Sequence, residues 1–274
     1  MSTSSQPTRG ALWIAALTGG AQPAGGYPAS VTVIDAALAG ESARFIAVVR
    51  DENHRFPRVH NGEVGLVEGW TIARAVDEVV EADRNAAQKR PIVAVIDVPS
   101  QAYGRREEAF GIHQALAGAA GAYAKARLAG HPVIGLIVGK AMSGGFLAHG
   151  YQANRLIALD DGSVMVHAMG KASAARITLR TVEELEKFAA TVPPMAYDIG
   201  NYATLGLLWT LQQVASPDAP GAADTAQVTK TLEQALADIR KGPRDLSGRL
   251  NNGNRRASLE VRNRLRAEWD VAGG

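Results

Sequence analysis

Two apolar runs near the amino end, SVTVIDAAL (Ser30–Leu38) and RFIAVVRD (Arg44–Asp51), read as strands joined at Ala39–Gly40. The spacing then changes. Leu66, Trp70, Ala73, Val76 and Val80 recur at three- and four-residue steps, which predicts an amphipathic helix. PIVAVIDV (Pro91–Val98) is apolar almost throughout, as expected of a strand buried on both faces of a parallel sheet. The loop PSQAYGRREE leads from it into an Ala-rich helix predicted over Glu107–Ala129. The same sequence of features follows once more: a proline, an apolar strand at Val133–Val138, a glycine-containing loop and a helix starting near Ser143. Two strand–loop–helix units with parallel strands bring both loops to one sheet edge, where open α/β sheets bind ligands.

Beyond that helix, NRLIAL (Asn154–Leu159) and SVMVH (Ser163–His167) flank Asp160–Gly162, a strong hairpin signal. A plain doubly wound fold does not switch to β-β-α in this way. From Lys171 onward the pattern is helical, with breaks at Pro193–Pro194, Pro217–Gly221 and Gly242–Pro243. Helices are expected at Thr225–Ile239 and Ala257–Trp269, and GGAQPAGGYP (Gly19–Pro28) reads as a connector. The expectation is one α/β domain over 1–274, with a core from about 30 to 215 and a helical, basic tail from about 222 to 274.

Composition narrows the chemistry. With 46% hydrophobic and 20% charged residues, the chain is an ordinary globular protein, and with no cysteine it has no disulfides, thiolate–metal sites or cysteine nucleophile. The start MSTSSQPTRG lacks the order of a signal peptide, and no apolar run approaches the ~20 residues of a membrane span, so a cytoplasmic address is expected. Charge is uneven: from Arg240 on there are nine Lys/Arg against four acids, and before it 20 against 23. Arg262 and Arg266, flanked by Glu260 and Glu268, fit a solvated helix face, and also a basic surface for an acidic partner.

The candidate chemistry lies in GKAMSGGFLAHG (Gly139–Gly150), at a strand-to-helix junction. A hydrolase elbow wants G-x-S-x-G, but Ala141 stands at the first glycine, and none of the six histidines occupies a recognisable base motif. A phosphate loop needs Ser or Thr after its lysine, whereas Lys140 precedes alanine. Ser143 reads as a helix N-cap. The remaining reading assigns the chemistry to Gly144 and Gly145: bare first-turn amides carry the positive end of the helix dipole and stabilise developing negative charge. A methyl at either glycine is then expected to impair such a site while costing the helix little.

Beside this derivation stands a resemblance. GKAMSGGFLAHG is similar to the G-x-x-x-S-G-G-x-L-A-x-G element of acetyl-CoA carboxylase carboxyltransferase α subunits, in the crotonase superfamily. Along most of its length, including VPSQAYGRREE, VHAMGKASAARIT and TVPPMAYDIGNY, the chain resembles the γ subunits of biotin-independent malonate decarboxylases. The resemblance implies a crotonase-like repeated β-β-α core and a β-subunit partner. The pair would decarboxylate malonyl held as a thioester on an acyl carrier protein, leaving acetyl. It implies no biotin, no metal and no cofactor bound by this chain, the substrate arriving on the carrier's phosphoribosyl-dephospho-CoA arm. An acyl-carrier transferase subunit would complete the set, with no nucleic-acid or membrane partner. Ser143, Gly144 and Gly145 are the catalytic candidates; Tyr103, Gly104, Met142 and Phe146 are candidates for lining the substrate. Two rivals remain: a non-catalytic scaffold for the β subunit, and a serine hydrolase using Ser143.

Overall fold

A computed structural model describes residues 6–250 and 253–272; the polar start read at Met1–Ser5 lies outside the described residues. The chain runs α1 (Arg9–Leu17), β1 (Val31–Leu38), β2 (Glu41–Val48), α2 (Leu66–Ala82), β3 (Ile92–Val98), α3 (Arg105–Ala109), α4 (Ile112–Leu128) and β4 (Val133–Met142). It continues through α5 (Ser143–Ala148), β5 (Arg155–Leu159), β6 (Met165–His167), α6 (Lys171–Ile177), α7 (Val182–Ala189), α8 (Ile199–Thr204), β7 (Thr210–Gln212), α9 (Ala222–Lys241) and α10 (Arg256–Ala272).

Six of the strands lie in the order β1-β2-β3-β4-β5-β7, and β6 also pairs with β4. Among the described strands β1 and β2 run antiparallel, joined through Ala39–Gly40, and the other strand-to-strand pairings are parallel. β3 and β4 are buried along nearly all their length, as their unbroken apolar sequence requires. Helices α2 and α4 pack on each other, and α1 lies against β2, β3 and β4. Val228, Leu232, Ala235, Leu236 and Ile239 of α9 belong to the main core. In contrast, Val261, Leu265 and Trp269 of α10 are exposed. Among the described residues no helix is long and apolar enough to cross a membrane.

The structure departs from the sequence expectation in five places. Arg9–Leu17 is a helix, capped by Thr8 and burying Trp13 and Ile14, where the pattern before Ser30 gave none. The single helix expected over Glu107–Ala129 is two, separated at Phe110–Gly111, where Gly111 takes φ +81°. Asp160–Gly162 makes no hairpin: β5 pairs with β4 at Ile134–Ile137 and β6 with the same strand at Lys140–Met142, both parallel. The chain therefore continues in one direction, and Asp161 is held by Arg9 and by Ser163 instead of closing a hairpin turn. Thr210–Gln212, read as helical, adds a strand beside β5. Finally, Trp70 is half-exposed, lying over Gly118 of α4, and Ile72, Ala75, Val76 and Val79 form the buried face of α2.

Two features bring the loops after β3 and β4 together. The register between these strands shifts from Ile96↔Ile137 to Val98↔Ala141, so β4 carries two extra residues there. Asp97 fills the irregularity, accepting from the Lys140 N–H at 3.0 Å and the Gly10 N–H at 3.2 Å. The loop after β3 is pinned at its far side, since the Val64 N–H donates to Ser100 O and the Ala102 N–H to Val64 O. Val64 stands at the foot of α2, where fully buried Glu68 accepts from Gly65 N (3.0 Å) and Ser30 Oγ (2.6 Å) and lies 3.2 Å from His54 Nε2.

Glu68 thus anchors the support of the β3 loop. Removing a buried acceptor leaves its hydrogen-bond donors unsatisfied, at a cost of about 1–3 kcal/mol for each. Glu68→Ala is expected to lose stability in that range by urea unfolding, and Glu68→Gln, which keeps an acceptor, clearly less.

Candidate active site at the β4–α5 junction

β4 ends in extended backbone at Met142 (φ −114°, ψ 143°), and α5 begins at Ser143. Ser143 takes φ +61°, a left-handed conformation uncommon outside glycine. Its side chain makes no capping hydrogen bond, so the N-cap expected from the sequence is absent and Met142 takes the cap position. Gly144 and Gly145 follow in the first turn. Among the described residues their amide N–H groups have no protein acceptor, as first-turn geometry dictates. Together with the dipole of the short helix, they present partial positive charge at the carboxyl edge of the sheet.

The two glycines differ in their surroundings. A Cβ on Gly145 would stand 2.6 Å from the Ser100 carbonyl oxygen, which the Val64 N–H holds, and 2.6 Å from Cγ1 of Val98 on β3. Gly145 is therefore required by the close approach of α5 to the β3 loop, and the expectation that a methyl there costs little is corrected. A Cβ on Gly144 would instead collide with Oε1 of Gln101, the end of a side chain that can swing away.

The other end of α5 is equally fixed. Buried His149 sets its Nε2 3.1 Å from Val95 O and its Nδ1 3.1 Å from Tyr123 Oη. The carbonyl can only accept, so Nε2 donates and Nδ1 receives the tyrosine proton. With both nitrogens engaged, His149 has no means of serving Ser143 as a base. Burial pushes its pKa down to about 4.

A cavity of about 280 Å³ opens beside the turn, lined by Ser143, Gly144, Phe146, Tyr151, His167 and Tyr202 together with aliphatic side chains. Phe146 and Tyr151 meet edge to face at 5.3 Å, and His167 stacks on Tyr197 at 3.9 Å. His167 Nδ1 lies 3.2 Å from the nitrogen and 3.0 Å from the oxygen of Met169, so loop backbone engages it in either tautomer. Burial lowers the His167 pKa and favours the neutral ring.

Of the residues expected from the sequence, Ser143, Gly144 and Phe146 line this cavity. Gly145 lies behind them against the β3 loop. Met142 is buried among Ala174, Ala175, Leu185 and Tyr197. Tyr103 is half-exposed on the β3 loop and Gly104, in extended backbone, begins α3; neither lines the cavity. The sequence reading missed His167, Tyr151 and Tyr202. His167 could have been placed by its position at the end of a strand, whereas Tyr202 carries no local signal, because α8 reaches the cavity only through the tertiary fold. Among the described residues no group of acidic, His or Cys side chains is arranged to hold a metal ion.

A family model described as malonate decarboxylase gamma subunit matches residues 59–269. The chain is 34% identical over 223 residues to the malonyl-S-ACP:biotin-protein carboxyltransferase MADD of Malonomonas rubra, covering 80% of this chain and 75% of that protein. It superposes on a chain of a Pseudomonas malonate decarboxylase hetero-tetramer in complex with coenzyme A with a TM-score of 0.93 and 64% identity, covering 96% of this chain and 100% of that one. Against the Pseudomonas MdcD–MdcE hetero-dimer the TM-score is 0.89 at 61% identity, covering 96% and 99%. Transcarboxylase 12S, at 20% identity and a TM-score of 0.61 over 80% of this chain and 38% of that one, shares the fold alone. That fold is the crotonase-like carboxyltransferase fold the sequence resembled.

The His149 clamp has a pH signature. The unfolded ring binds its proton near pH 6.5, and the native ring not until about pH 4. The neutral ring's contribution is therefore complete above pH 6.5 and is lost as pH falls toward 4, by roughly 3 kcal/mol. Urea unfolding across that window should show this slope, and His149→Gln should lack it.

Proposed function

The chain belongs to the malonate decarboxylase gamma subunit family, and we propose that, paired with a β-type subunit, it converts a malonyl thioester on an acyl carrier protein to the acetyl thioester. The observation that carries the site assignment is the pair of amides at Gly144 and Gly145 that have no acceptor among the described residues, of which Gly144 lines the apolar cavity.

Decarboxylation breaks the bond between the α carbon and the carboxylate, and the electron pair moves into the thioester carbonyl to give an enolate. The cleaving bond must stand perpendicular to the thioester plane for that transfer. In this reading the α5 amides grip the departing carboxylate and set that angle, while the β subunit holds the thioester oxygen, where the charge arrives. Donors that bind the carboxylate equally before and during cleavage contribute binding, and those that fix the angle contribute rate. The apolar walls formed by Phe146, Leu147 and Val166 exclude the water that would otherwise stabilise the carboxylate.

The Pseudomonas relative with coenzyme A bound supports a CoA-type arm as the carrier of the acyl group. The further partners are then the carrier protein with its phosphoribosyl-dephospho-CoA arm and an acyl-carrier transferase, working in the cytoplasm.

One observation favours the rival scaffold reading: packing against Ser100 by itself explains why position 145 is glycine. The test therefore moves to Gly144, whose neighbour Gln101 can give way. Gly144→Ala keeps the amide N–H but sets a methyl against Gln101 that turns the peptide, and in the assembled complex it should form acetyl thioester with kcat/KM lowered by up to about 10²-fold, the full scale of one preorganised donor moved out of place. Normal turnover would make this chain a scaffold. Ser143→Ala should stay within a few-fold of the parent, and a dead Ser143→Ala enzyme would restore the hydrolase reading. The chain purified without its β partner should produce no acetyl thioester from the malonyl thioester, which direct product assay checks.

A further inference from the structure

Decarboxylation leaves an enolate that needs a proton, and neither glycine can supply one. The cavity contains a group without an assigned role. Tyr202, on α8, is only 8% exposed, and its hydroxyl is buried with no hydrogen-bond partner among the described residues. It lines the same cavity as Ser143 and Gly144. A buried hydroxyl left unpaired costs roughly 1–3 kcal/mol, and native proteins leave few of them. Replacement by phenylalanine would remove that cost, so the retained hydroxyl points to a ligand partner.

The position of Tyr202 is well determined. Asp198 caps α8 by accepting from the Asn201 N–H at 2.9 Å, and the Tyr202 N–H donates to the Asp198 carbonyl at 3.2 Å. Burial raises the phenol pKa, so the O–H remains protonated at neutral pH. The second orphaned phenol, Tyr197, lies beneath Met142 in a separate cluster and does not line the cavity. His167 also lines it, but its ring is held in place, stacked on Tyr197 with Nδ1 tied to the Met169 backbone.

We propose that Tyr202 is the proton donor that quenches the enolate, an inference that rests on the malonyl-thioester reading above. The electron pair of the enolate forms the new C–H bond at the α carbon as the phenolic O–H bond breaks, and the thioester carbonyl is restored. The phenolate recovers its proton from water admitted as carbon dioxide leaves. A thioester enolate is a stronger base than a phenolate, even one raised by burial, so the transfer runs downhill.

The test compares the assembled complex carrying Tyr202→Phe with its parent, using the malonyl thioester as substrate. The expected result is a fall in kcat of roughly 10²-fold or more, the usual contribution of a general acid. KM should stay within a few-fold, and the solvent deuterium isotope effect on kcat should grow as protonation becomes limiting. The melting temperature should be unchanged or higher, since the hydroxyl satisfies nothing in the fold. Unchanged kcat, or a loss carried by KM alone, overturns the inference, as does a lower melting temperature with activity lost in step. If Gly144→Ala is impaired while Tyr202→Phe is not, the site reading stands and the proton donor is wrong. If both variants are normal, the reaction lies elsewhere and both readings fail.

Discussion

The contact between the first turn of α5 and the carbonyl of Ser100 governs the geometry of this protein. Atoms at position 145 come so near the β3 loop that a single methyl group has no place. Because the carbonyl is itself held by the Val64 N–H, the turn rests on backbone that cannot yield. Two loops from neighbouring parallel strands are locked together, and the amides between them are fixed before any substrate arrives. Preorganisation of this kind is what makes a hydrogen-bond donor effective against developing charge.

The supports of this contact extend across the domain. Asp97 spans the irregularity in β4 and ties it to the start of α1, so a helix at the amino end helps to aim a turn more than a hundred residues away in sequence. Glu68 secures the base of the β3 loop from the opposite side. His149 fixes the far end of α5 to β3 and α4, which leaves a helix of one and a half turns with no freedom to rotate. Buried polar groups do this inside a core built of aliphatic and aromatic side chains. Their directional bonds specify an angle, which apolar contacts alone do not.

The proposed decarboxylation suits this arrangement. Splitting off carbon dioxide needs a substrate held at the right angle, a dry cavity and a late proton. In the proposed reaction the β4–α5 turn, the Phe146–Tyr151 wall and the α8 phenol would answer to those needs in turn. α10, with Val261, Leu265 and Trp269 exposed along it, is the element least integrated into the domain.

What the sequence determined by itself was local or periodic. The apolar runs of β3 and β4, the amphipathic spacing of α2 and the double glycine after Ser143 were legible because each signal lies within a few residues. The likeness of GKAMSGGFLAHG and its surroundings to carboxyltransferase-type chains added the family. The tertiary structure alone decided the rest. The Asp-Gly turn before Ser163 failed to make a hairpin because both flanking strands found a better partner in β4. Ser143 went without a capping bond because the helix had already begun at it. Position 145 proved to be glycine for packing, and Tyr202 entered the cavity from a helix nearly sixty residues further on. Such facts depend on which surfaces meet, and one-dimensional spacing carries no record of a contact between atoms that only folding brings together.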